Sequence, residues 1–468
     1  MFLDHCSYRC RLGVLFIALV ALTGCDAFEI KNRPDPNGPS LQDIVENPTR
    51  GKIANVAVGM EAGMRTDMNL YLTDVSAIGR EVFRFSSSDP RYTSELLGEG
   101  SAVLNNNTFY ITRPWAERYR VVRNGNIILD ALGNAPQSLF TDAEEASIRG
   151  FVGTIAAHQL LLNLNLTYQN GIRVEVRALD ENELGTVVGY DQALQAIADR
   201  LDAAYQDLQA GSGLPFPLSE GFSSVDFPAF NRALKARVAI YQQDPAAALD
   251  ALQNSFIGTR ATPLVPFPNP GGDARQVGAY HVFSTSAGDL TNPWYIPPQA
   301  TGDLIAAHPS YITDIARDSN GNIIDQRASK VVNRDETFAR AGLSSDWGFF
   351  VYKTNVSPIP IIRRAELFLI RAEAHILQGG AGNLNDAVDD LNFIRNSAGL
   401  PDYSGPVTQD ALTDELLRQR RYELYGEGHR WIDMRRYDRL DQLPIDRPND
   451  DVWQQFPIPA SENVNSPG

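Results

Sequence analysis

Cysteine is nearly missing from this 468-residue chain. The three that occur, Cys6, Cys10 and Cys25, all fall within the first 25 positions. Beyond them no disulfide framework, thiolate metal cage or cysteine nucleophile can form. Positive charge is in the minority: 41 Lys and Arg face 57 Asp and Glu, for a formal net charge of −16. Such a chain offers no general phosphate-tracking surface, which argues against nucleic acid as a partner. The same field disfavours polyanionic cargo unless a local patch reverses it. Histidine is scarce, and no two of the six stand at a metal-binding spacing such as H-E-x-x-H. Neither a metal nor a cofactor is expected. Long apolar runs are lacking too: after Leu22 none approaches the roughly 20 residues that a membrane-spanning helix needs. What remains is 43% hydrophobic and 21% charged. That is ordinary globular composition and excludes disorder and collagen.

The first 25 residues read as a targeting segment. Arg9 and Arg11 precede an eleven-residue apolar run, Leu12 to Leu22. The run is too short to span a membrane and has the length of a signal-peptide core. It ends in Leu22-Thr23-Gly24-Cys25, which resembles the bacterial lipobox at all four positions. Residues 1–24 are therefore expected to be a signal peptide, and Cys25 the lipidated residue of the mature chain. Stable anchoring takes more than one acyl chain. Loss of the leader leaves 39 basic against 56 acidic residues, a net charge of −17. Residues 25–45, with the proline-rich Asn32 to Pro39, read as a tether.

Beyond the tether, helical periodicity dominates. It favours helix over Ala54 to Ile78 and Pro114 to Leu132. Thr141 to Glu144 has capping-box spacing ahead of a third apolar stripe. Tyr190 to Leu208, stopped by Gly211, and Phe227 to Gln243 continue the series. Asp244-Pro245 opens a further helix to about Phe256. Stacked pairs of this length bury apolar stripes that no helix buries alone, as in tetratricopeptide-like arrays. From Gly258 to Pro360, prolines interrupt any helix. This section reads as loops with a few short strands, with Asn320-Gly321 as a hairpin turn signal. Helix returns at Ile362 and ends at Gly379-Gly380. A partner runs from about Asn383 to Ala398, and a last long helix from Gln409 to Tyr425. The tail from Asp438 is irregular.

Several motifs carry charge. Glu366 and Glu373 share a helix face, a spacing open to acid–base chemistry. Ion pairs with the nearby Arg363, Arg364 and Arg371 are the preferred reading. Leu417 to Arg436 packs Arg420, Arg421, Glu423, Glu427, Arg430, Asp433, Arg435 and Arg436 around Trp431. This reads as a buried salt-bridge network, with an anionic-ligand site as the alternative. Asp318 to Asp325 faintly resembles a calcium loop, but its glycine is misplaced, so a plain turn is expected.

The lipobox, RRAELFLIRAEAHILQG, NDAVDDLNFIRNSAGLP, RRYELYGEGHRWIDMRR and the closing FPIPASE together resemble the SusD/RagB family. The likeness is concentrated from Ile362 to Glu462. One departure is Gln419, where the family pattern usually carries an acidic residue. The resemblance implies a mainly α fold of tetratricopeptide-like helix pairs bearing an irregular lobe. In this reading 46–468 is one domain, helical over 46–256 and 358–437, loop-rich over 257–357 and irregular over 438–468. It also implies an outer-membrane surface lipoprotein that binds oligosaccharides or peptides and passes them to a TonB-dependent barrel. No catalytic residue is implied. The rival readings are a surface glycosidase, which needs only two carboxylates, and a protein-binding helical scaffold.

A ligand face should combine exposed aromatic rings with polar groups that orient the sugar. Tyr280, Trp294, Tyr295 and Trp347 in the loop-rich section are the candidate rings. Arg84 and Tyr92 come from a stretch expected to be an inter-helix loop.

Overall fold

Helices α1 (Leu41–Glu46), α2 (Arg50–Arg65) and α3 (Met68–Ile78) open the computed structural model. The model describes residues 40–176, 185–268 and 275–463. Cys25 and most of the proposed leader and tether lie outside the described residues. The last part of that tether belongs to α1, whose Ile44 and Val45 pack with Ile127.

The single helix expected over Ala54 to Ile78 is two. Asp67 adopts φ +52° between them, which breaks the turn-to-turn bonding. The break is held by α4 (Phe109–Gly133). Arg113 pairs with Asp67, while the buried Arg118 donates to the carbonyls of Met64, Gly63 and Thr66 at the end of α2. A guanidinium there satisfies orphan carbonyls and meets the negative end of the helix dipole.

The expected capping box is present at the start of α5 (Asp142–Thr167), with Thr141 and Glu144 bonded reciprocally. The array continues through α6 (Tyr190–Ala210), α7 (Phe227–Tyr241) and α8 (Pro245–Gln253). Neighbours in sequence pack side by side. After the lobe come α10 (Arg364–Gln378) and α11 (Ala381–Ser397), joined at Gly379 and Gly380, both at positive φ. Phe368 and Phe393 seal that pair, their ring centroids 4.5 Å apart. Helices α12 (Gln409–Glu423) and α13 (Arg430–Arg436) come next, separated by a turn with Gly426 and Gly428 at positive φ.

The lobe is more ordered than its proline content suggests. Strands β1 (Val82–Phe85), β5 (Leu304–Ala307), β6 (Val331–Arg340) and β7 (Leu343–Phe349) form an antiparallel sheet in the order β1-β5-β7-β6. A short helix α9 (Ser310–Thr313) succeeds β5. Two expectations are corrected by this arrangement. Arg84 lies on a strand rather than in an inter-helix loop. Ile362 lies on β8 (Ile359–Arg363), which pairs with β4 (Gly278–His281) before α10 begins. The Asn320-Gly321 turn makes only one bridge, Arg317 to Ile323. The long hairpin instead turns at Ala341-Gly342, both at positive φ. One apolar cluster runs through the helical array and under the lobe, joining Phe151 and Ile155 to Phe349 and Tyr352. Between Gly171 and the sixth helix lies one further ribbon, β2 (Ile172–Arg173) with β3 (Val187–Val188).

Candidate functional site

The two helical glutamates are structural. Glu366 is buried and receives two 2.7 Å hydrogen bonds from Arg237 of α7. Burial alone would raise its pKa, but Arg237, and after it His429, hold it down at about 2. Glu373 pairs with Arg436 at 2.8 Å and accepts from the Tyr437 hydroxyl at 2.9 Å. Ion pairing is therefore right, but the partners come from other helices. Arg363 is committed to Glu423 and Glu427 at 2.6 and 2.7 Å. Arg364 bonds backbone carbonyls of Ile257 and Thr262, and Arg371 pairs with Asp390 at 2.6 Å. Neither glutamate has an exposed face, so neither can meet a substrate.

The network around Trp431 is buried as expected. Arg420 holds Asp433 at 2.7 Å, and Arg435 stacks on Trp431 at 4.5 Å while donating to the carbonyls of Gln454 and Asn165. Gln419, the departure from the family pattern, bonds Glu415 at 2.7 Å. Asp318 accepts from the backbone of Asn320 and Asn322, which is a plain turn. No cluster of three or more metal-ligating side chains occurs among the described residues.

The six aromatic and polar candidates divide into two groups. Trp294 is 2% exposed. Its indole donates to Thr73 at 3.2 Å, and its ring packs on Phe349 at 4.8 Å. Tyr280 is equally buried, and its hydroxyl bonds the Gln276 carbonyl at 2.7 Å. Rings without a free face cannot stack on a sugar, so both are reassigned to the core. A run of prolines around them suggests surface in sequence, but Trp294 folds back onto α3, and Tyr280 sits on β4 beside Phe267.

Arg84, Tyr92, Tyr295 and Trp347 are half-buried on the lobe. Arg84 lies 5.3 Å over the Tyr92 ring and reaches Asp303 at 3.3 Å. Asp303 also accepts from the Ser87 backbone and hydroxyl at 2.8 and 3.0 Å. The Ser87 amide, then its hydroxyl and Arg84, keep the Asp303 carboxyl below its ordinary range. Burial pushes the Tyr92 phenol up to about 12, so it stays protonated as a donor. Ser87 belongs to the polar stretch from Arg80 to Tyr92 that the sequence offers as ligand partners, but Asp303 carries no signal in sequence, since the two meet only through the β1–β5 register. That register opposes Arg84 to Ile305, and Ala306 to Gly348. Alternation then sets Arg84 and Trp347 on one face of the sheet.

Trp347 differs from the other four tryptophans. Trp115 donates its indole N–H to Glu462, Trp294 to Thr73, Trp431 to the Trp453 carbonyl and Trp453 to the Glu95 carbonyl. Among the described residues Trp347 alone has a half-exposed ring and an N–H without an internal acceptor. The rigid sheet beneath it fixes its position.

A separate cavity of about 310 Å³ opens between α2 and β4, lined by Glu61, Arg65, Ser219, Tyr280, His281 and Asp289 among others. Arg65 and Asp289 pair across it at 2.9 Å. Burial raises the Glu61 carboxyl, although it accepts from Ser219 at 3.0 Å. Nothing in the spacing of these residues marks them in sequence.

The SusD family model matches residues 337–466. The chain is 33% identical over 106 residues to the SusD-like protein P38 of Formosa agariphila, covering 20% of each chain. It is 40% identical over 79 residues to the starch-binding protein SusD of Bacteroides thetaiotaomicron, covering 17% of this chain and 13% of that one. The chain thus matches a fifth or less of the length of these curated relatives. In fold the likeness extends much further. The surface glycan-binding protein A of B. thetaiotaomicron superposes with a TM-score of 0.68 at 16% identity, over 89% of this chain and 97% of that one. The matched segment is the one in which Arg363, Arg420 and Arg436 tie the C-terminal helices together; over it the chain is similar to the SusD family, and over most of its length its fold is SusD-like.

Proposed function

We propose that this chain is a non-catalytic surface lipoprotein that captures oligosaccharides on the lobe face bearing Trp347, Tyr295, Tyr92 and Arg84. Trp347 carries the reading: a half-exposed indole with a free N–H on a rigid sheet suits the C–H face of a sugar ring. The Arg84–Asp303–Ser87 cluster supplies charged and hydroxyl groups that orient it. Two relatives whose names record starch or glycan binding support the ligand class. Cys25 is the proposed lipid attachment site, which sets the body on the outer membrane. A TonB-dependent barrel is the proposed recipient of the cargo.

Calorimetry against a panel of soluble neutral glycans, starch included, tests the capture step. Wild type binds at least one, and Trp347→Ala weakens that binding about tenfold. An unchanged affinity in the variant removes Trp347 from the site. Products of chain cleavage in the same mixtures turn the reading toward a glycosidase. Cys25→Ala is expected to leave the membrane fraction. A barrel-sized partner should co-isolate with the wild-type protein, and its consistent absence speaks against the hand-over.

A further inference from the structure

On α12, α13 and the turns beside them is a concave surface of about 540 Å³. Its size falls within the roughly 300–1,000 Å³ of small-molecule sites. Four guanidinium groups line it, from Arg418, Arg421, Arg430 and Arg439, against two carboxylates, Asp314 and Asp414. Arg421 pairs with Asp314 at 2.8 Å, and Arg439 pairs with Asp414. That leaves two cations without a carboxylate partner among the described residues. Arg430 bonds only the Gly79 carbonyl, through Nε at 2.9 Å. Arg418 is exposed and has no hydrogen bond or ion pair there. In a chain of net charge −16, a local excess of two unpaired guanidiniums is the opposite of the average surface. Burial, and after it the neighbouring Arg421, pull the Arg430 pKa down to about 9. These positive groups repel one another, and an anion between them would relieve that repulsion. Guanidinium forks match two-oxygen anions in pairs, which an isolated cation cannot do.

We propose that this groove is a second ligand site, which takes the carboxylate or sulfate group of an acidic oligosaccharide between Arg418, Arg421 and Arg430. The inference rests on the glycan-capture reading and adds a substrate class to it. It shares no residue with the Trp347 face. It also answers the long-range repulsion between an acidic body and acidic cargo, because only a local basic surface can offset that field.

Two matched pairs of probes test it on the full mature chain: a galacturonic acid hexamer against its methyl ester, and dextran sulfate against dextran. The acidic member of each pair is expected to bind more tightly, with a preference that shrinks as salt is raised. Arg418→Gln should weaken the acidic ligand about five- to tenfold. The same change should leave neutral-glycan binding and the melting temperature unaltered, since Arg418 supports nothing in the fold. Trp347→Ala should do the reverse to the neutral ligand. Equal affinity for acid and ester overturns the groove. So does an acid preference that survives both Arg418→Gln and Arg418→Gln/Arg421→Gln. Either result leaves the aromatic face standing. Neutral binding that is absent from the wild type, or unchanged in Trp347→Ala, with the acid preference intact sinks the aromatic face instead. An acidic partner protein released by Arg418→Gln, without any acid preference among glycans, assigns the groove to docking and overturns the proposal.

Discussion

At the scale of single residues, buried charge does the fastening. Arg237 and Glu366 are each almost fully buried, so removing one partner leaves the other charged and unpaired. Arg237→Ala is expected to cost about 3–5 kcal/mol, read from the denaturant midpoint. A loss under about 1 kcal/mol would mean that the pair is not held as described. Glu81 behaves in the opposite sense. Burial raises its carboxyl to about 7 despite bonds from Ser76 and the Gly426 amide. The folded chain therefore keeps this proton between pH 4.5 and 7 while the unfolded chain releases it. Stability from this group is full below about 4.5 and is lost as pH rises through 7. Glu81→Gln lacks that dependence. Its melting temperature relative to wild type should climb from about pH 5 to about pH 8, and a constant difference would refute the assignment. Sequence marked Glu366 as one charge among several on its helix and gave no sign of Arg237 or Glu81. It did not show who pairs with whom, because Glu366 reaches a helix 129 positions away. The same limit misplaced Trp294 and Tyr280: proline content predicts loops, but not which loops fold inward.

At the scale of elements, helices were legible and the lobe was not. Apolar periodicity and caps mark α5, α6, α7, α11 and α12 to within a few residues. The break at Asp67 is invisible to periodicity, since one residue at positive φ interrupts neither apolar stripe. The lobe hairpin is hidden for a related reason. Its turn is Ala341-Gly342, and alanine gives no turn signal. A two-residue turn with both central residues at positive φ favours Asn-Gly. Ala341→Asn is therefore expected to stabilise the protein by about 0.5–1 kcal/mol, measured by chemical denaturation. No gain would imply that Ala341 is not in the left-handed region. The four-stranded sheet needs long-range pairing, β1 with β5 across more than two hundred residues, and short alternating stretches do not announce such partners.

At the scale of the molecule, residues 453–462 act as a strap. Phe456 is fully buried against Tyr110 and Trp431, and its amide bonds the Leu166 carbonyl at 2.8 Å. Glu462 receives the Trp115 indole at 2.9 Å and pairs with Arg173 at 2.7 Å. Phe456→Ala should cost about 3–5 kcal/mol, and thermal denaturation should show it as one cooperative transition moved downward. An unshifted transition would mean that the strap is not part of the core. The strap also sets a timetable. Trp115 meets Glu462 across 347 positions, and Arg173 meets it across 289. Closing loops of that length is slow, because ordering entropy is lost before the contact repays it. The helical array must therefore wait, incompletely sealed, until this distant segment arrives. Refolding should be limited by that arrival, and a chain interrupted before residue 453 would be caught with Tyr110, Trp115 and Trp431 uncovered.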